Sequence, residues 1–182
     1  SARSRAPAPR PDRPMLETLH RWLDERRPLA TELYVVAPDY RSMGATVAVE
    51  LTEEDRREEL LQMVTHRMHQ LLWPLAPGGL LGSGWELGRQ IDARALEIAI
   101  GQLPGIRSVA PIRLFTETAG EWREIARNVD GEIKMDLEKW QLPELVSLGV
   151  GTGSQAADTV PAGSTGEGSN NAVSVPVVPE HC

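Results

Sequence analysis

His66 and His69 stand three residues apart in a helical stretch, which brings two imidazoles within reach of one metal ion. No Cys or acidic residue nearby in sequence completes a ligand set. The pair also flanks Met68, which belongs to the apolar stripe of the same helix. Two histidines at the solvent edge of a packed helix are therefore expected, and no metal. The run Gly78-Gly79-Leu80-Leu81-Gly82-Ser83-Gly84 has the glycine density of a phosphate cradle. It lacks the Gly-Lys-Ser/Thr ending and does not lead directly into a helix, so it reads as a flexible connector. The carboxylates of Asp24, Glu25 and Glu53 to Glu59 lie at helix starts and on polar faces. There, pairing with Arg26, Arg56 and Arg57 accounts for them without acid–base chemistry. No Ser, His and acid carry a local nucleophile signature. Cys182, at the chain end, lacks a pocket. The residues thus predict no enzyme and no cofactor.

What remains for function is contact surface. Five tryptophans accompany one Phe and two Tyr. Tryptophan is enriched at interface hot spots. Trp22, Trp85, Trp122 and Trp140, near element ends, are the candidate contact residues, beside a core-capping role. Val173, Val175, Val177 and Val178 could form a short strand that adds to a neighbour's sheet edge.

The net charge of -7 argues against a nucleic-acid backbone or an anionic membrane as main partner. Lys134 and Lys139 are the only lysines; the other basic residues are Arg, a composition that a GC-rich genome explains. No apolar run approaches 18 residues, so no membrane insertion is expected. With Cys182 the single cysteine, no internal disulfide can form. The chain lacks an initiator Met, as expected of a processed or partial chain.

Residues 1–14 read as a Pro/Arg-rich linker, 15–150 as an α+β domain, and 151–182 as a Gly/Ser/Ala/Pro-rich tail. The tail is too polar to offset its ordering entropy alone, so it is expected to extend along neighbouring chains. In the domain, Met15–Arg27 reads as a helix stopped by Pro28. Leu33–Ala37 and Met43–Leu51 read as strands. Thr52 reads as the cap of a helix with the stripe Leu60, Val64, Met68 and Leu71. Trp85–Ile91 reads as extended. Asp92 caps a helix to Leu103, ended by Pro104-Gly105. Ile106–Phe115 reads as a strand that Pro111 places at an edge or bulge. Asn128–Gly131 reads as a hairpin turn between Trp122–Arg127 and Glu132–Leu137. Leu142–Val150 closes the domain. Interleaved helices and strands predict helices packed on a small mixed sheet.

Three ordered stretches resemble the C-terminal half of the baseplate-wedge proteins of contractile phage tails and injection systems, the baseplate J-like group. They are Leu23–Leu29 running into Leu33–Tyr40; Gly84–Arg89 followed by Leu103-Pro104-Gly105-Ile106; and Gly131-Glu132-Ile133 followed by Leu142-Pro143-Glu144-Leu145. The resemblance spans residues 16 to 150 and leaves out the tail. It implies a structural component around a spike hub in sixfold arrangement. The implied partners are other wedge subunits, the spike or hub, and sheath or tube proteins. Assembly would occur in the bacterial cytoplasm, and the product would be a phage tail or tail-like particle. It transfers no catalytic residue. The alternatives are a standalone ferredoxin-like ligand-binding or regulatory module and a metal-dependent hydrolase using His66 and His69.

Overall fold

The computed structural model describes residues 8–118, 121–157 and 172–174. The first element is helix α1, Arg13–Asp24. Asp12 caps it by accepting from the Met15 amide at 2.9 Å, and Pro14 occupies the first turn, where no amide donor is needed. The helix ends at Asp24, short of Pro28, and buries none of its side chains.

Strand β1 spans Asp39–Leu51 and forms the spine of the sheet. On one side of it lies β7, Gln141–Thr152, which pairs parallel with it from Asp39 to Val49. On its other side, β3 (Ile106–Val109) and β4 (Arg113–Thr118) pair antiparallel with β1, one beyond the other. The segment expected as one strand is thus two. Pro111 lacks the donor that would continue the ladder, and the Ala110 amide instead reaches Ala48 O at 2.9 Å. β5, Glu121–Glu124, flanks β4, and β8, Ala172–Ser174, flanks β7. The order is β5-β4-β1-β7-β8 with β3 beside β1. The fold is α+β with a mixed sheet, as the interleaved pattern predicts.

Helices α2 (Arg57–Leu71) and α3 (Ala93–Gly101) cover one sheet face. Leu60, Val64, Met68 and Leu71 of α2 and Leu96 and Ile100 of α3 are fully buried against Met43, Ala45, Val47 and Val49 of β1 and Leu148 and Val150 of β7. Each large side chain so buried contributes about 1.5–3 kcal/mol. Asp92 caps α3 as expected, accepting from the Arg94 amide at 2.9 Å. Thr52 does not cap α2. Its amide and hydroxyl both donate to Gly105 O, at 3.0 and 3.2 Å, which ties the entry of α2 to the exit of α3. A 3-10 turn over Glu54–Arg56 leads into the helix instead.

The opposite sheet face carries small residues at Thr46, Ala48 and Ala110 and is covered there. Ala156 packs on Ala48 and Ala110, the Thr46 hydroxyl donates to Ala157 O at 3.1 Å, and the Gly153 amide donates to Val49 O at 3.0 Å. Here the chain turns back across its own sheet after β7.

Two further expectations are corrected. Leu33–Ala37 is not a strand: no strand among the described residues lies beside it, and Tyr34 and Val36 are 77% and 72% exposed. The Asn128 turn forms, its side chain accepting from the Asp130 and Glu132 amides at 3.0 and 2.9 Å, but its arms do not pair with each other. The first stays on β4. The second supplies β6, Lys134–Met135, to β2, Ile91–Asp92. β2 is all that is extended of Trp85–Ile91 by pairing; Glu86–Arg89 is a turn, closed by the Arg89 amide on Glu86 O.

Candidate functional site

Tyr40, the second residue of β1, organises one end of the sheet. Its hydroxyl donates to Pro9 O at 2.7 Å, and the Arg10 guanidinium stacks over its ring at 4.9 Å. Arg10 also reaches Glu144 of β7 at 3.7 Å. These contacts strap the segment before α1 onto the sheet end. Burial pushes the Tyr40 hydroxyl above its ordinary value of 10; Arg10 opposes this and Glu144 adds to it.

Between this strap and the body lies an apolar groove of about 590 Å³. Tyr40 and Leu142 form its floor with Trp85, while Met15, Val36, Leu75, Leu87 and Trp140 line it with large exposed surfaces. Trp140 is 56% exposed and Leu87 57%. Trp85 is held rigidly: 4% exposed, its indole N–H donating to Arg89 O at 3.1 Å and the Arg89 guanidinium over its ring at 5.7 Å. The Gly88 amide bonds Gln141 O at 2.9 Å, which fastens the Glu86–Arg89 turn beside the start of β7. Residues from all three resemblance stretches therefore meet here: Tyr40 from the first, Trp85 and Leu87 from the second, Leu142 from the third.

Of the expected contact residues, Trp85 and Trp140 line the groove. Trp22 lies on α1, 53% exposed under the Arg26 guanidinium at 4.3 Å, and Trp122 sits half-buried on the outer strand β5. Val173 stands opposite Val150 in β8, so that strand addition occurs on this chain's own sheet. Val175, Val177 and Val178 lie outside the described residues. Tyr40, Leu75 and Leu87 were not singled out by type. An aromatic just after Pro-Asp at a strand start was the available signal for Tyr40.

His66 lines a separate hollow of about 330 Å³ with Met63, Gln70 and Gln102, from which His69 is absent. Burial, and then the neighbouring His66, lower the His69 imidazole below 6.5. Among the described residues, no three His, Cys, Asp or Glu side chains converge as metal ligands. No helix among them is long and apolar enough to cross a membrane.

No model of a known family matches the chain, and a search of curated proteins finds no match either.

Proposed function

We propose that this chain is a structural component of the baseplate of a contractile phage tail or injection system, making wedge-type contacts around the spike hub and coupling baseplate to sheath contraction. The observation that carries the proposal is the groove. Three stretches that resemble wedge proteins, far apart in sequence, converge on one exposed apolar surface rich in Trp and Tyr. Such a surface suits a protein partner, where buried aromatic anchors supply most of the binding energy. Other wedge subunits, the hub, and sheath or tube proteins are its proposed partners, in sixfold arrangement. The coupling would work by shifting contacts between packed domains.

A ferredoxin-like ligand-binding module is less well supported. The polar groups that would orient a small ligand in the groove, the Tyr40 hydroxyl and Arg10, are already engaged by Pro9 O and Glu144. The test is recovery of the tagged chain from cells that make the particle, with its companions identified by mass spectrometry. Sheath, tube and spike proteins are expected, and Leu87→Asp with Trp140→Asp should deplete them several-fold while far-UV circular dichroism stays unchanged. A chain that returns alone, or companions indifferent to both substitutions, would refute the proposal.

A further inference from the structure

The segment from Glu32 to Ala37 is largely apolar with two β-branched residues, yet it is neither helix nor strand and joins no sheet among the described residues. None of its backbone amides or carbonyls has a hydrogen-bond partner among the described residues. Its side chains alternate: Leu33 and Val35 half-buried, Tyr34 and Val36 exposed. This two-residue alternation of exposure is what one edge of a sheet would impose on the segment, and no second strand stands beside it among the described residues. The sheet's own open edges are guarded by different means. The outer strand β5 carries Glu121, Arg123 and Glu124, and the part of β7 that β8 does not pair carries Pro143, devices that discourage edge pairing. From Glu32 to Ala37 there is no such guard beyond Glu32 itself.

We infer that this segment pairs, antiparallel and about a two-fold axis at Val35, with the same segment of a second copy of the chain. The sequence is self-complementary in that register. Tyr34 falls opposite the second copy's Val36, an aromatic–β-branched pair on the exposed face, and does so twice. Leu33 meets Ala37. Glu32, the one charge, meets Pro38 rather than another carboxylate, and Pro38, which has no donor, ends the ladder. Sliding the register by one residue would set Tyr34 against Ala37 or against the half-buried Val35, so that the exposed Tyr34–Val36 faces of the two copies no longer coincide. The adjoining surface favours closure of the same interface. Val36 and Met15 line one groove, and α1 leaves Met15, Leu19 and Trp22 exposed at helical spacing. The inference does not depend on the baseplate reading.

The register can be read by cross-linking in a Cys182→Ser background. Directly opposed residues have Cα atoms about 4.5–5.5 Å apart, within disulfide reach. Tyr34 and its own copy would lie two residues out of register, about 8 Å apart and beyond it. Tyr34→Cys mixed with Val36→Cys should therefore form a disulfide-linked heterodimer several-fold faster than either variant couples with itself, and urea should abolish the difference. Sedimentation equilibrium of the unmodified chain should show a monomer–dimer equilibrium that Val35→Pro shifts to monomer without loss of far-UV signal. A monomer at all concentrations, self-coupling as fast as mixed coupling, or amide protection over 33–37 that appears only with a different protein bound would each overturn the inference.

Discussion

Replacing Gly84 with Ala puts a methyl group where the structure has no room for one. Gly84 has φ +92, in the left-handed region, and an added Cβ would press into the Pro74 carbonyl, lying 2.8 Å from its carbon and overlapping its oxygen. Gly82, two residues earlier in the same loop, has φ +77, but its nearest neighbour would be Pro77 O at 3.9 Å. The two substitutions share the backbone cost and differ in the clash. Left-handed conformation costs an ordinary residue about 1–2 kcal/mol, so Gly82→Ala should lose that much. Gly84→Ala adds an overpacking cost of about 1–3 kcal/mol, for a total near 2–5 kcal/mol. Urea unfolding followed by tryptophan fluorescence measures both, with the slope m expected unchanged. Because the Trp85 amide bonds Trp73 O, the Gly84 variant should also loosen Trp85 at the groove. Equal losses within about 0.5 kcal/mol would refute the reasoning, since they would mean the loop yields freely.

Two more outcomes follow from the same structure. Asp92→Ala should lower global stability by about 1 kcal/mol, because α3 belongs to the core, whereas Asp12→Ala should leave the urea midpoint unchanged, because α1 buries no side chain. His69 titrates below 6.5 because burial, and then His66, disfavour its cation. The unfolded chain therefore takes up that proton first, so stability is full above this value and falls as pH drops below it. His69→Gln should flatten that decline in urea midpoints taken between about pH 7.5 and pH 5.

Local signals fixed the elements whose partners are near in sequence. The stripe of α2 and the cap at Asp92 are written in spacing and capping chemistry, and each stands where its pattern placed it, while α3 ends at Gly101, two residues short of the expected Leu103. Non-local pairing was less legible. Nothing in Leu142–Val150 says that it runs parallel to β1 at the centre of the sheet. Leu33–Ala37 has strand composition, but composition cannot supply a neighbour. The Asn128 turn formed as its residues dictate, while the destinations of its arms were decided by β4 and β2. Thr52 was drawn from its capping role by Gly105, a residue 53 positions away. At the groove, tryptophan content pointed to Trp85 and Trp140. The same signal fell equally on Trp22 and Trp122, because side-chain type carries no information about which distant segments converge.

Coverage of the groove around Trp85, Leu87 and Trp140 by another subunit of a tail baseplate, as proposed, is tested most directly by electron cryo-microscopy of the intact particle. This fold is expected in sixfold-related copies around the spike hub, with density from a neighbouring chain filling the groove. Copies whose groove faces solvent, or a particle baseplate in which this fold is absent, would contradict it.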